Sequence, residues 1–248
     1  VDLVEKIDIT MTATLRPSLV ERTFISIVDK IVRGERDRYR LIINVDKIGE
    51  NIQQKTVIKI AKKYFNDIIF NLPETPSFPR AVKWVWGNST SNYIFHIEDD
   101  WEIVRFVDVD NMIRLLDKYK KLSSLRLNKY HTPNKKVIKL FDGIWKYCEK
   151  DKFYITDDWK KQFGLNPILI KREFINRALP CMVDNVNPEK QFRESQEYMV
   201  NVIRVWNYGL YSNPGDPPLV VDIGADWKQK NNFEKPVKSF LTWIKKEG

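Results

Sequence analysis

The stretch YIFHIEDDWEIV, residues 93–104, decides how the chain is read. It opens with a strongly apolar strand signal, Tyr93 to Ile97. Glu98, Asp99 and Asp100 follow in a row, with Trp101 and a fourth acid, Glu102, behind them. Adjacent carboxylates repel, and each raises its neighbours' pKa unless a cation sits among them. A hard cation such as Mg²⁺ or Mn²⁺ answers that crowding, because it takes oxygen ligands, often only one or two from protein, the rest coming from water and substrate phosphates. The plainer alternative is an exposed acidic loop.

Working outward, strand and helix signals alternate through the first 120 residues. EKIDITMTAT alternates and is rich in Ile and Thr, and RPSLVERTFISIVDKIVRG follows with Leu19, Thr23, Ile27 and Ile31 at helical spacing. RYRLIINVD is a nearly continuous apolar strand, as in sheets covered on both faces. NIQQKTVIKIAKKYF reads as a helix, DIIFNL as a strand, and SFPRAVKWVWGNS as a helix after Pro79. VDNMIRLLDKYKKL is an amphipathic helix. The alternation predicts an α/β domain with a mainly parallel sheet flanked by helices. Ligands of such sheets bind at the carboxyl ends of strands. There the acid triplet, Asp46 and the loop TATLRP converge.

The second half is less regular. SSLRLNKY, KFYITDDW and PPLVVDIG suggest strands. VIKLFDGIWKYC, NPILIKREFINRAL and NPEKQFRESQEYMVNVIRVWNYG suggest helices, the last ended by Gly209. No linker separates two domains, so residues 1–248 are expected to form one domain.

Composition narrows the function classes. The chain is 43% hydrophobic and 12% aromatic with eight Trp, enough for a packed core rather than a disordered chain. Lys plus Arg number 42 against 33 acids, and the resulting +9 favours polyanionic partners or a solvated lysine-rich surface. Cys148 and Cys181 show no ligand spacing; they fit a reducing compartment or a single disulfide. No apolar run reaches membrane-spanning length, and no signal peptide is visible. Location is expected to be cytoplasmic or peripheral to a membrane. The chain begins at Val1 rather than Met, which leaves room for an upstream segment.

In order and spacing the elements resemble a nucleotide-sugar-dependent glycosyltransferase of the GT-A fold, close to family 2. TMTATLRPSLVERTFISI resembles the opening strand, nucleotide loop and first helix of that class. INVD resembles its second strand, and YIFHIEDDWEI its metal-binding DxD element, in the EDD form of N-acetylglucosaminyltransferase I-type enzymes. The resemblance covers about the first 125 residues well, the nucleotide-sugar half, and residues 126–248, the acceptor half, loosely.

The resemblance implies that Thr12, Ala13, Thr14 and Arg16 line the nucleotide and that Asp46 contacts base or ribose. It implies that Arg80 supplies a nucleotide or phosphate contact, that Glu98 and Asp99 contact ribose or metal waters, and that Asp100 is the main ligand of Mn²⁺ or Mg²⁺. Each has a plain alternative: strand-end threonines, an arginine pairing with a surface acid, a turn aspartate before Gly49, a surface cation. An inverting transfer also needs a carboxylate base for the acceptor hydroxyl. Glu189 is chosen over Asp184, Asp157 and Asp158, although a helix N-terminus favours an acid anyway. Asp222 or Trp227, in VVDIGADW, resemble a segment closing over the diphosphate. Trp84, Trp86, Trp101 and Trp159 could stack on sugar rings or pack the core. The implied partners are a UDP- or GDP-sugar and a glycan, lipid or protein hydroxyl; no nucleic acid is expected.

Rival readings are weaker. HIE begins a zinc-deaminase signature, but PCMVD has Asp184 where a second Cys is needed. The processive QxxRW motif, P-loop, G-x-G-x-x-G and G-x-S-x-G are absent. A sugar-nucleotide nucleotidyltransferase would share the fold, but its Gly-rich opening loop is missing. A basic nucleic-acid binder is suggested by +9 alone, with no binding motif behind it.

Overall fold

The computed structural model describes residues 6–140, 143–158, 163–192, 196–234 and 244–245. The first half follows the expected alternation. Strand β1 (Ile7–Leu15) leads into α1 (Pro17–Ile27), β2 (Tyr39–Gly49), α2 (Gln54–Ala61), β3 (Asp67–Asn71), α3 (Phe78–Gly87) and β4 (Tyr93–Glu98). Short β5 (Trp101–Ile103) and α4 (Val109–Lys118) precede β6 (Leu122–Leu127). Pro17 and Pro79 occupy the first turns of α1 and α3, where a missing N–H breaks no helical bond. Asp108 caps α4, accepting from the Asn111 backbone N at 2.9 Å.

The second half contains β7 (Val137–Leu140), β8 (Gly143–Cys148), β9 (Phe153–Thr156), β10 (Ile168–Lys171), α5 (Arg172–Ala178), α6 (Pro188–Gln191), α7 (Glu197–Ile203), β11 (Asn207–Tyr211), β12 (Val220–Asp222) and α8 (Gly224–Lys230). Three sequence expectations are corrected. VIKLFDGIWKYC is not a helix; it supplies the antiparallel strands β7 and β8. Its alternation shows why: Val137 and Ile144 are exposed while Ile138 and Trp145 are buried. NPILIKREFINRAL is a strand followed by a helix. Ile168 to Ile170 are buried between β4 and β6, and so short an apolar run cannot be told from a buried helix by periodicity. The long helix ended by Gly209 is two short helices and a strand. Gly209 lies inside β11, where Leu125 and the Ser124 carbonyl crowd the place a Cβ would take.

All these long strands join one ten-stranded sheet in the order β3-β2-β1-β4-β10-β6-β11-β9-β8-β7. β3, β2, β1 and β4 are parallel; β10 runs against β4 and β6, so β6 and its parallel neighbour β11 point the same way as β1. The molecule is therefore one α/β domain with a mostly parallel sheet. One apolar layer packs Val20, Phe24 and Ile27 of α1 and Leu115 and Leu116 of α4 on Ile9, Ile43 and Phe95. The opposite layer packs Val82, Val85 and Trp86 of α3 with Phe174 and Met199 on Ile42, Ile94 and Ile170.

The order also fixes where a ligand can bind. Successive crossovers step from β1 to β2 to β3, and the next strand, β4, is laid on the other side of β1. The reversal makes a crevice at the carboxyl ends of β1 and β4, the place where open α/β sheets take ligands.

Candidate functional site

The crevice is built by three strand ends in register. Thr12 of β1 lies opposite Asn44 of β2 and Glu98 of β4. An irregularity between Ala13 and Leu15 turns the chain toward the acids. The Thr14 backbone N donates to Asp99 Oδ2 at 2.9 Å and its hydroxyl donates at 3.2 Å. Arg16, only 1% exposed, spans the acid pair. Its Nη2 donates to Asp99 Oδ1, its Nη1 to Asp100 Oδ2 at 3.1 Å, and its Nε to Thr14 Oγ1 at 2.8 Å. The Trp227 ring lies 5.5 Å from the guanidinium. A cation does sit among the carboxylates, and it is supplied by the chain itself.

The energetics follow from burial. Burial disfavours the Arg16 charge, yet Asp99 and Asp100 outweigh it and raise the guanidinium pKa. Burial pushes the Asp99 carboxyl up, against the pull of Arg16 and with the push of Asp100. Breaking one partner of such a pair typically costs about 3–5 kcal/mol, because the other charge stays buried.

The residues after the triplet hold it in place. Glu102 pairs with Arg22 of α1, and the Ile103 N–H donates to Ser26 Oγ at 3.0 Å. β5 pairs with β12, Asp222 opposite Trp101, and the Ile223 N–H donates to the Asp100 carbonyl at 2.9 Å. Gly224 lies so close to Asp100 that a Cβ there would overlap its carboxylate. VVDIGADW thus lies directly over the acids and carries Trp227 to Arg16. Sequence reasoning noted Trp227 but missed Gly224, Asn44, Ser77 and Arg22. Only the glycine gave a local signal, as the small residue beside an acid-rich segment.

Asp46 closes the base of the crevice, 7% exposed. Asn44 Nδ2 donates to it at 2.8 Å and the Ser77 backbone N at 3.1 Å, with Asn71 in turn bonded to Asn44. Burial nevertheless dominates and raises its pKa to about 6. Arg80 is not brought to the acids by any described contact. It is exposed on α3 and donates to Asp184 at 3.3 Å, beside Lys83 at 2.7 Å.

Glu189 lies elsewhere on the same edge, at the start of α6. It lines a cavity of about 420 Å³ with Arg126, Asn128, Lys129, His131, Phe163 and Asn166. Its Oε1 accepts from the Leu165 backbone N at 2.9 Å. Cavity and crevice meet at Trp101, whose ring centroid lies 5.8 Å from Lys129 Nζ. Asn128 also pins the closing segment, its carbonyl accepting from the Leu219 N–H at 2.9 Å.

The remaining expectations are structural. Trp86 and Trp101 are core residues, and Trp159 lies outside the described residues. His96 is fully buried; its Nδ1 contacts Thr10 Oγ1 at 2.9 Å and Trp86 Nε1 at 3.3 Å, and burial lowers its pKa to about 3. Cys148 and Cys181 are free thiols. Among the described residues no helix is long and apolar enough to cross a membrane.

What the carboxylate oxygens already bind decides whether the acids can hold a cation. Both Asp99 oxygens are committed to Arg16 and Thr14, and Asp100 Oδ2 to Arg16. Asp100 Oδ1 makes no hydrogen bond among the described residues, and no group of three His, Cys, Asp or Glu side chains there could hold a metal. One carboxylate oxygen suits a hard cation that draws its other ligands from water and phosphate. The residues fit a cation shared with a bound diphosphate, not one caged by protein.

The fold has counterparts among solved enzymes. A mannosyltransferase from Pyrobaculum calidifontis, solved with GDP-Man and Mn²⁺, superimposes with a TM-score of 0.54 at 9% identity over 90% of this chain and 58% of its own. TarS of S. aureus matches with a TM-score of 0.56 at 8% identity, over 90% of this chain and 38% of TarS. A CMP:2-keto-3-deoxy-manno-octonic acid synthetase, solved with CTP, matches with 0.51 at 11% identity over 91% of this chain and 96% of the synthetase. At these identities the likeness establishes the GT-A-like fold. The chain spans well under two thirds of both transferases. No family model matches the chain, and no curated protein matches it in sequence.

Proposed function

We propose that the protein is a glycosyltransferase that moves a sugar from a nucleoside-diphosphate sugar to a hydroxyl acceptor, with inversion and with a divalent metal. The observation that carries this is the meeting of Arg16, Asp46, Asp99 and Asp100 at the switch point of the sheet, under a segment that closes over them. Fold neighbours solved with GDP-Man and Mn²⁺, with UDP and with UDP-GlcNAc support the donor class.

In this reading Thr12, Ala13 and Thr14 line the nucleotide, Asp46 meets base or ribose, and Glu98 and Asp99 order the ribose and nearby waters. Asp100 would hold Mn²⁺ or Mg²⁺, which supplies charge neutralisation for the departing diphosphate. Arg16 holds a permanent positive charge beside that diphosphate and fixes both acids. Arg80, on the exposed face of α3, is a peripheral phosphate contact. Glu189 takes the acceptor hydroxyl proton as that oxygen bonds the anomeric carbon and the diphosphate leaves. The two halves, 1–125 and 126–248, serve donor and acceptor.

A second reading is favoured by the synthetase neighbour, matched over nearly its whole length. It is a nucleotidyltransferase that joins a sugar to a nucleotide and releases pyrophosphate. Calorimetric titration separates them. A glycosyltransferase of this kind should bind UDP or GDP more tightly with Mn²⁺ than without. Tight binding of CTP alone would favour the second reading, and a folded protein that binds no nucleotide would overturn both.

A further inference from the structure

The cavity beside Glu189 has a charge character that hydroxyl transfer alone does not require. Its volume, about 420 Å³, falls in the range of small-ligand pockets. Arg126 and Lys129 line it, and each lies against an aromatic ring. The Arg126 guanidinium lies 5.3 Å from the ring of fully buried Trp145. Lys129 Nζ lies 5.8 Å from Trp101 and 5.2 Å from Tyr130, and donates to Asn166 Oδ1 at 3.4 Å. Lys129 is half-buried, yet among the described residues no carboxylate pairs with it. A half-buried ammonium held by rings and an amide, facing a cavity, is arranged to receive an anion.

Glu189 is the acid that lines the cavity among the described residues. The Leu165 backbone N–H ties one oxygen, and the other makes no hydrogen bond among the described residues. A ligand here must therefore be anionic at one end and offer a proton donor at the other. A wholly anionic ligand would be repelled by Glu189, and a neutral one would leave Lys129 without a counter-charge.

We propose that this cavity binds an acceptor saccharide carrying an anionic group, the anion lying against Lys129 and a hydroxyl facing Glu189. The inference deepens the glycosyltransferase reading and rests on it for the word acceptor. The anion can be the carboxylate of a uronic acid or the phosphate of a sugar phosphate; both present the oxygens that an ammonium takes.

Ligand-observed NMR on the whole chain tests it with four probes: methyl glucoside, methyl glucuronide, glucose 6-phosphate and inorganic phosphate. At least one anionic sugar should bind tenfold or more tightly than the neutral glucoside and more tightly than inorganic phosphate. The stronger of the two anionic sugars identifies the source of the charge. Lys129→Gln, on a half-buried side chain, should cut that affinity about tenfold with an unchanged circular dichroism spectrum. Equal binding of the glucoside, equal binding of inorganic phosphate, or a Lys129→Gln protein that binds as before would each overturn the proposal. Parallel titration with UDP and GDP keeps the two readings apart. Nucleotides binding without anionic sugars removes only this inference; anionic sugars binding through Lys129 without nucleotides removes the glycosyltransferase reading and leaves the anion site.

Discussion

Arg16 answers the crowding of Glu98, Asp99 and Asp100 before any metal is considered. The buried guanidinium uses all three of its nitrogens on Thr14, Asp99 and Asp100, so it acts as a fixed bracket between β1 and β4. Asp46 is the opposite case, a buried acid with two hydrogen bonds and no paired cation among the described residues. Its pKa is raised from 3.8 to about 6, so the folded state favours the protonated form. The resulting penalty is absent below pH 3.8, grows through the window to pH 6 and is complete above it. At 1.36 kcal/mol per pKa unit it is on the order of 3 kcal/mol. Asp46→Asn removes the charge but keeps an oxygen for only one of the two donors, Asn44 Nδ2 and the Ser77 N–H, so its amide faces the other at a cost that does not vary with pH. Urea denaturation should find the variant gaining up to about 3 kcal/mol on the parent between pH 4 and pH 8, as Asp46 of the parent ionises. Nucleotide affinity should fall at the same time if Asp46 contacts base or ribose. A stability difference independent of pH would show that the charge of Asp46 is not the cause.

At the scale of elements, the closing segment is the part that couples fold to site. β12 pairs with β5, and the first residue of α8, Gly224, rests on Asp100. Gly224→Ala forces either the helix or the carboxylate to move, and overpacking of this kind costs about 1–3 kcal/mol. The expected outcome is a lower melting temperature together with weaker nucleoside diphosphate binding, while Gly87→Ala, where a Cβ meets nothing within 4 Å, leaves nucleotide binding unchanged. The same elements show what the sequence could and could not tell. The apolar strand Tyr93 to Ile97 and the helix signals after Pro17 and Pro79 marked β4, α1 and α3 because their patterns are local. β10 was hidden because a four-residue buried strand carries no period of its own. The β7–β8 pair carries a period of two, Val137 against Ile138 and Ile144 against Trp145, that shows only once burial is known. In the site, Asp99, Asp100 and Arg16 could each be found from sequence, but the pairing of Arg16 with the two acids could not. Arg16 is 83 residues from Asp99, and only the β1–β4 pairing brings them together.

At the scale of the molecule, +9 asks whether the polyanion it attracts is a nucleic acid or a nucleotide. The two leave different signatures. Binding along a nucleic acid releases counterions, so affinity falls steeply with salt in proportion to the phosphates contacted. A nucleoside diphosphate held in a buried crevice meets few charges and is screened less. A ligand at a hundred times its Kd stabilises the folded state by about 2.7 kcal/mol. In a chain of this size each kcal/mol is worth roughly 2–4 °C, so the melting temperature should rise by roughly 5–10 °C. UDP or GDP with Mn²⁺ should give that rise, and most of it should survive in 0.5 M salt on the order expected for a screened but buried contact. Asp100→Asn keeps the hydrogen bond to Arg16 and removes the charge a divalent cation needs. It should lose the Mn²⁺-dependent part of the rise and keep the metal-free part. A variant with the full Mn²⁺-dependent rise would move the cation away from Asp100. If instead oligonucleotides stabilise the chain, with a shift that collapses between 0.05 and 0.2 M salt by the counterion argument, the basic surface and not the crevice is the site.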